Sequence, residues 1–448
     1  MIYHFIGIKG TGMSALAQIM KSLGYEVQGS DKPDHFFTEA GLLEKGIKIL
    51  NFSKDNIKED MVIVQGNAFK DDHEEVVRAK ELGLKIYTYQ EMVGRLTEMF
   101  MTIGVSGCHG KTTTTAMMAH VLDNIVGTNY LIGDGSGFAS KENKYFCLEA
   151  CEYKRHFLAY TPYYAIITNI ELDHIDYYKD IDDVISAYQE YANKAEKMVI
   201  ACGDDTYTHT LEVNPPIFYY GLNDDNDIIA KDVEYHNEGT SFDVFVEDNY
   251  YGHFDLPLFG KHMLLNALAV ISVCYYERLE AKDVAKYLKT FKGAKRRFKE
   301  NVIGDIVTID DYAHHPTEVK VTIKAARQKY PDKKIVAILK THTLSRTKEM
   351  ADEFVEALNL ADDAYVMDVG VDREEIGYDD VDYHVILDKL RNGKYMSLDK
   401  VDELLKYENA VLIFMSSKDI YVLQKEYEKR LKEKLGIEEW YYYLSSTH

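Results

Sequence analysis

The chain lacks the features that would place it in a membrane, a secretory pathway or a nucleic-acid complex. No apolar run approaches the roughly 20 residues that a membrane-spanning helix needs, and Met1-Ile2-Tyr3-His4 lacks the basic start of a signal peptide. The five cysteines are odd in number and form no CxxC pair, so we expect reduced thiols in a cytoplasmic protein. The formal net charge of −22 disfavours nonspecific binding to nucleic acid or to an anionic membrane surface. An anionic substrate must therefore be captured by local basic groups.

Apolar strands alternate with helices along the chain, which predicts an α/β protein with mainly parallel sheets. The length of 448 residues suggests about three domains. The pattern divides into residues 1–98, 99–296 and 297–448. In the third segment, residues 306–309 are the first clear strand.

The strongest motif is a loop rich in glycine and threonine that connects a predicted strand, residues 101–106, to a predicted helix. Glycine amides and a helix N-terminus together attract phosphate oxygens, so this order predicts an ATP site. Lys111 is expected to neutralise the β- and γ-phosphates, and the Thr112 hydroxyl to bind Mg²⁺. The loop is a variant of the common pattern, which would have glycine at the position of Val105. The predicted ATP-binding residues are Gly107, Cys108, His109, Gly110, Lys111, Thr112 and Thr113.

A second glycine loop follows the first strand, residues 2–8, and precedes a helix ended by Gly24. The next strand finishes at Asp31, roughly where an acidic residue contacts a ribose in dinucleotide-binding folds. Alone, this arrangement suggests NAD, although its glycine spacing is not GxGxxG. The glycines are also consistent with tight helix–strand packing alone. The predicted substrate-binding residues of this loop are Gly10, Thr11, Gly12, Met13 and Ser14, together with Asp31.

Acidic residues stand at the ends of two predicted strands of the central segment. Ligands bind at the carboxyl ends of strands in parallel α/β sheets, so these positions suit catalytic groups. Glu149 follows one strand and is a natural Mg²⁺ ligand beside a triphosphate. His174 lies in an acidic stretch, residues 168–176, and is a candidate second metal ligand.

The third segment offers a basic cluster and two polar loops. Arg297, in the run Lys295-Arg296-Arg297, is a candidate clamp on the γ-phosphate because arginine offers a planar donor fork. Residues 310–316 and 340–347 each follow a predicted strand, and we expect these two loops to lie side by side. Together they would form a pocket with histidines and an arginine for an anionic organic substrate.

These motifs resemble the Mur ligase family over essentially the whole chain. The shared segments are GIKGTGMS, GCHGKTTTT, EACEY, TNIELDH, GKHMLLNALA, KRRF, DDYAHHPTEV and THTLSRT. The resemblance implies a Rossmann-like N-terminal domain for a UDP moiety, a central P-loop ATPase with a mainly parallel sheet, and a Rossmann-like C-terminal domain for an amino acid. It also implies ATP and Mg²⁺, with UDP-N-acetylmuramate and L-alanine as substrates. We expect a monomer or homodimer, with no nucleic acid and no membrane partner.

The resemblance also implies roles for individual residues. Lys111 and Thr112 would serve the ATP phosphates, and the metal ligands would be Thr112, Glu149 and His174. Further ATP contacts would be His262 and Asn266 at the adenine, Arg297 at the γ-phosphate, and Asp311. The groups where carboxylate and amino acid meet would be His314, His342 and Arg346. The catalytic set is therefore Lys111, His174, Arg297, His314, His342 and Arg346.

Three alternatives remain at this point. Within the family, the chain could instead add a preformed peptide to UDP-N-acetylmuramate. From other classes, it could be a nucleotide-dependent switch that binds ATP without turnover, or an NAD-dependent oxidoreductase. Against a switch, the strand-end acids and the two histidine loops suggest a pocket for a further substrate.

Overall fold

The computed structural model describes residues 1–36, 38–371, 377–378 and 380–437. Within these residues the strands form three sheets, and most strand pairs are parallel. Helices alternate with the strands throughout, so the predicted three-domain α/β class is confirmed.

The first sheet has the order β3-β2-β1-β4-β5, and its strands are all parallel. The order reverses at β1, so a crevice opens at the carboxyl end of that strand, where a ligand binds in folds of this type. The elements are β1 (Ile2–Ile6), α1 (Thr11–Ser22), β2 (Glu26–Asp31), α2 (Glu39–Glu44), β3 (Lys48–Asn51), β4 (Met61–Gln65), α3 (Glu74–Glu81), β5 (Lys85–Thr88) and α4 (Tyr89–Thr97).

The second sheet has ten strands in the order β15-β14-β13-β12-β11-β10-β6-β9-β7-β8. Strand β6 is central and is paired in parallel with β9 and β10, whose ends carry the predicted acidic groups. The elements are β6 (Met101–Ser106), α5 (Lys111–Ile125), β7 (Thr128–Leu131), β8 (Gly137–Phe138), β9 (Tyr145–Glu149), β10 (Tyr164–Ile167), α6 (Ile181–Ala192), β11 (Met198–Cys202), β12 (Ile217–Gly221), β13 (Ile228–His236), β14 (Gly239–Val246), β15 (Asn249–Leu256), α7 (Lys261–Tyr276) and α8 (Ala281–Leu288).

The third sheet has the order β16-β17-β21-β18-β19-β20. Strand β16 pairs with β17 antiparallel and precedes the strand that the sequence pattern indicated as the first. Strand β16 consists mostly of polar or exposed residues, so it lacks the apolar run by which the other strands were predicted. The elements are β16 (Lys299–Ile303), β17 (Ile306–Asp311), α9 (Pro316–Lys329), β18 (Lys334–Leu339), α10 (Leu344–Glu349), α11 (Ala351–Leu358), β19 (Asp363–Val366), α12 (His384–Leu387), β20 (Gly393–Tyr395), β21 (Ala410–Met415) and α13 (Tyr421–Leu435).

The chain separates into two compact units. The first comprises residues 1–233, 241–257 and 264–294, and the second comprises residues 234–240, 258–263 and those from 295 onward. In the first unit, β8 lies directly against α1: a side chain at Gly137 would collide with the backbone of Ala15. Gln18 also donates to the Gly135 carbonyl at 3.3 Å. Among the described residues, no helix combines the length and the apolar character needed to cross a membrane.

Candidate functional site

The loop between β6 and α5 has the backbone of a phosphate cradle. Gly107 (φ 134°) and Gly110 (φ 85°) both occupy left-handed backbone conformations that other residues rarely adopt. Gly110 caps the N-terminus of α5, and a Cβ there would lie 2.7 Å from Asn266 Oδ1. Asn266, predicted at the adenine, is therefore packed against this loop. The amide groups at the start of α5 carry the partial positive charge that favours an anion.

Residues that follow β10 hold the loop in this shape. Asn169 accepts a hydrogen bond from His109 N (2.8 Å) and donates one to His109 O (2.9 Å). Thr168 Oγ1 donates to the same carbonyl at 2.6 Å. The His109 ring lies 3.2 Å from Glu171 Oε2. The predicted ATP residue His109 is thus fixed through both its backbone and its ring.

Lys111 is the first residue of α5, and its ammonium turns back over the loop. It donates to Gly107 O (2.5 Å), Cys108 O (3.1 Å) and Glu152 Oε1 (2.9 Å). Glu152 is 2% exposed. Burial alone would lower the pKa of Lys111, but the Glu152 carboxylate raises it, so the ammonium is charged. The second oxygen of Glu152 is buried without a hydrogen-bond partner among the described residues.

Thr112 and Glu149 form an oxygen-rich pair beside Lys111. The Thr112 hydroxyl donates to Glu149 Oε1 at 3.1 Å, and Glu149 Oε2 accepts from Gly133 N at 2.7 Å. A hydroxyl and a carboxylate next to a phosphate cradle are the hard donors that Mg²⁺ prefers, alongside phosphate oxygens and water. The residues present therefore fit this ion.

His174 lies on the Glu152 side of the loop. Its Nε2 is 3.5 Å from Glu152 Oε1 and 4.0 Å from Asp173 Oδ2. Its ring is stacked at an angle on Tyr153, with 4.7 Å between ring centroids. His174 has a left-handed backbone (φ 52°), a strained conformation of the kind that often occurs at functional sites. The structure thus places His174 next to Glu152, the carboxylate that binds Lys111.

The N-terminal glycine loop borders a cleft of about 390 Å³. Gly10 caps α1, whose N-terminus faces the cleft with Thr11, Gly12 and Met13, whereas Ser14 is buried and donates to Thr38 O. Three aromatic rings, those of Phe36, Phe69 and Tyr89, complete the wall. Amides for a diphosphate and aromatic rings for a base suit a nucleotide.

Asp31 lines the same cleft but is already engaged. Its Oδ2 accepts from Lys9 N at 2.7 Å, and its Oδ1 accepts from Lys32 N at 2.8 Å. A carboxylate retains further lone pairs when each oxygen accepts one bond. Asp31 therefore shapes the loop and still faces the cleft.

In the second unit, Arg297 is held by a residue that the sequence patterns did not single out. Arg297 Nη1 donates to Glu318 Oε1 at 3.2 Å, and His314 N donates to Glu318 Oε2 at 3.0 Å. Glu318 is also the third residue of α9 and closes a capping box with His315. Burial disfavours the charged arginine, but Glu318 and then Asp311 raise its pKa.

Asp311 is 5% exposed at the end of β17. Its two carboxylate oxygens accept from Phe298 N and Ala313 N, both at 2.8 Å. Burial raises its pKa above the usual aspartate value. His262, predicted at the adenine, belongs to this unit, where burial and then the Arg297 charge lower its pKa to about 4. Its imidazole is therefore neutral at pH 7.

The two histidine loops of this unit are not side by side, so that prediction was wrong. Strand β21 lies between β17 and β18 and pairs with both. The loop that follows β21 separates them: Ser416 N donates to Asp311 O at 3.1 Å, and Asp419 accepts from Lys340 at 2.6 Å. The backbone of His342 instead forms an isolated parallel β-bridge with Gly370. Arg346 lies in α10 and is 8% exposed. His314 thus follows β17, whereas His342 and Arg346 follow β18. Strand β21 lies between these two strands.

Family models match almost the whole chain. They are the Mur ligase family catalytic domain over residues 2–101, the Mur ligase middle domain over residues 105–274, and the Mur ligase glutamate ligase domain over residues 296–422. The chain therefore belongs to the Mur ligase family. It is accordingly an ATP-dependent ligase of the class that builds peptidoglycan precursors. The alternative that the chain is an NAD-dependent oxidoreductase is therefore excluded.

Solved structures give the same assignment. The chain is 27% identical to the UDP-N-acetylmuramate-alanine ligase MurC of Thermotoga maritima, with 97% of this chain and 100% of that chain covered and a TM-score of 0.79. It is 26% identical to the UDP-N-acetylmuramate:L-alanyl-gamma-D-glutamyl-meso-diaminopimelate ligase of Neisseria meningitidis, covering 66% and 99%, with a TM-score of 0.59. The fold is also that of Thermotoga maritima MurF in complex with ADP, at 18% identity, coverage of 91% and 95%, and a TM-score of 0.64.

Three further residues hold the side chains of these sites in place, and the sequence analysis assigned none of them a role. Glu152 binds the loop lysine, Asn169 clamps the loop, and Glu318 joins Arg297 to His314. Two had detectable signals: Glu152 follows a buried strand, and Glu318 is three residues after His315 in a proline-initiated helix. Asn169 had none beyond its position after β10.

Proposed function

We propose that the chain joins L-alanine to the carboxylate of UDP-N-acetylmuramate while ATP is converted to ADP and inorganic phosphate. The observation that carries the proposal is the phosphate cradle of residues 107–112, with a charged Lys111 and the Thr112–Glu149 pair. The cleft in the same unit, lined by the start of α1 and by aromatic rings, supplies a place for the UDP moiety. Similarity over the full length to the Thermotoga maritima alanine ligase supports the choice of amino acid.

The proposed reaction has two chemical steps. The muramoyl carboxylate attacks the γ-phosphorus in line, and ADP leaves. The alanine amine then attacks the acyl phosphate carbon, and the tetrahedral intermediate expels inorganic phosphate as the amide forms. The alanine ammonium loses one proton before it attacks, and the same nitrogen loses a second proton as the tetrahedral intermediate collapses. The products are ADP, inorganic phosphate and the amide.

The chain contributes chiefly charge and position to these steps. Lys111 neutralises charge on the β- and γ-phosphates, and Arg297 does so on the transferred group. Thr112, Glu149 and His174 would hold Mg²⁺, which when bound neutralises phosphate charge. Neutral His262 and Asn266 would border the adenine, and Asp311 would contact ATP. His314, His342 and Arg346 would line the amino-acid side.

A second candidate within the family is addition of a preformed peptide to the same carboxylate. The similarity to the Neisseria enzyme, at nearly the same identity, favours it. Both candidates share the first chemical step and differ only in the amine. The choice of acceptor therefore decides between them.

A substrate panel separates the candidates. ADP release is followed with UDP-N-acetylmuramate, ATP and Mg²⁺, while the amine is L-alanine, D-alanine, glycine, L-serine or L-alanyl-γ-D-glutamyl-meso-diaminopimelate. We expect L-alanine to give the highest kcat/KM. Turnover with the tripeptide alone would establish the second candidate. ATP binding with no turnover for any amine would indicate a nucleotide-dependent switch.

A further inference from the structure

Lys9 is a buried lysine in the middle of the N-terminal glycine loop. It is 6% exposed, although lysine side chains are almost never fully buried without a partner. Its ammonium donates to Lys32 O at 2.7 Å and to Asp34 O at 2.8 Å, and it is paired with Glu39 Oε1 at 2.7 Å. An ammonium has three donors, and all three are used.

The backbone of Lys9 is bound to the same segment. Lys9 N donates to Asp31 Oδ2 at 2.7 Å, and Thr38 Oγ1 donates to Lys9 O at 2.5 Å. The side-chain nitrogen also lies 5.6 Å from the centroid of the Phe36 ring. Residues 32–36 and 39, which follow β2, therefore surround the Lys9 ammonium beside the glycine loop.

This segment supplies one wall of the cleft. Lys32 and Phe36 both line it, and they lie on either side of Asp34, whose carbonyl Lys9 binds. Glu39 also accepts from Phe36 N at 3.2 Å, so the Lys9–Glu39 pair holds the backbone of Phe36 directly. The hydrogen bond from Lys9 lowers the pKa of Glu39 to about 2, which keeps that carboxylate charged.

We propose that Lys9 is a positioning residue that builds the Lys32–Phe36 wall of the cleft and thereby sets the affinity for the nucleotide part of the substrate. This inference rests on the proposed function, in which the cleft binds the UDP moiety. Lys9 acts through the wall and not on the ligand, because its three donors already have acceptors. A lysine that bound phosphate directly would leave donors directed at the cleft.

The test compares Lys9→Met with wild type and with Lys45→Met. Lys45 is a half-buried lysine of the same domain that binds Ser22 and lies outside the cleft lining. Binding of UDP is measured by calorimetry, and steady-state kinetics give KM and kcat for UDP-N-acetylmuramate. Thermal unfolding and ATP binding establish that each variant is folded. Glu39→Gln, which keeps both carbonyl partners of Lys9, is the second variant should Lys9→Met fail to fold.

We expect Lys9→Met to weaken UDP binding and raise KM on the order of tenfold, because two wall side chains must then be ordered by the ligand. The kcat at saturation, the affinity for ATP and all values for Lys45→Met should stay within about twofold of wild type. Glu39→Gln should give a smaller change in the same direction. A folded Lys9→Met or Glu39→Gln protein with wild-type affinity for UDP would overturn the positioning role. Wild-type protein that binds no UDP would instead contradict the cleft assignment within the proposed function, and this inference with it.

Discussion

Lys111 Nζ lies 2.9 Å from Glu152 Oε1, and the two side chains are 14% and 2% exposed. The pair joins the phosphate loop to the residues that follow β9, and His174 approaches the same carboxylate oxygen. A buried carboxylate needs a charge partner, and Lys111 is that partner. Glu152 therefore holds the loop lysine in place for the triphosphate.

Lys111→Met should abolish L-alanine-dependent ADP release, with a loss of at least about 100-fold, because a cation is removed from the transferred phosphate. It should also destabilise the protein by about 3–5 kcal/mol, since Glu152 is left buried without its partner. Activity and urea denaturation are the two measurements.

The matched control for that variant is the double change Lys111→Met with Glu152→Gln. It should recover much of the lost stability because no uncompensated charge remains, yet it should stay inactive. Recovery of activity in the double variant would show that Lys111 serves only to neutralise Glu152.

Glu318 offers a way to separate helix capping from catalysis. Glu318→Gln keeps an oxygen for the amides of His314 and His315 but removes the charge that holds Arg297. We therefore expect about tenfold lower kcat/KM and a loss of about 3 kcal/mol of stability, because the arginine loses its main charge partner. Glu318→Ala should show the same loss and cost about 1 kcal/mol more, because the cap is gone. Wild-type kinetics in folded Glu318→Gln would disprove the link between Glu318 and Arg297.

The sequence located the phosphate loop and the strand-end groups because these signals are local. Lys111, Thr112 and Glu149 each stand next to a buried strand or at a helix start, and the structure brings them together. The partnership of Lys111 with Glu152 depends on how β6 pairs with β9, which periodicity does not reveal. The position of β21 between β17 and β18 joins segments about 100 residues apart, so the expected adjacency of the two histidine loops failed.

Glu277, the residue that follows α7, predicts the response of the first unit to acid. Burial would raise the pKa of Glu277, but hydrogen bonds from Tyr145, Tyr164 and Lys197 lower it to about 2. Since the ordinary pKa of a glutamate is 4.5, this contribution to stability is complete above pH 4.5 and disappears as the pH falls toward 2.

Glu277→Gln should therefore reduce stability at pH 7 and flatten the pH dependence between about 4.5 and 2. Urea denaturation curves at several pH values measure both effects. Glu212→Gln, at an exposed position of the same unit, serves as control and should change neither. A Glu277→Gln curve that stays parallel to wild type would refute the assignment.

Cys108 should be unreactive despite its place in the phosphate loop. Its Sγ lies 3.1 Å from Glu171 O, and burial raises the pKa of the thiol. Because the thiolate is the reactive species, iodoacetamide at pH 7.5 should neither inactivate the enzyme nor label Cys108, as read by peptide mass spectrometry. The same protein in urea should be labelled. Rapid labelling of the folded enzyme at Cys108 would contradict the burial of this side chain.

The central claim is transfer of a phosphoryl group from ATP to a sugar carboxylate. It is tested most directly with UDP-N-acetylmuramate carrying ¹⁸O in its carboxylate, incubated with ATP, Mg²⁺ and L-alanine. The account predicts that one labelled oxygen appears in inorganic phosphate for each amide formed. Amide formation with unlabelled phosphate would contradict it.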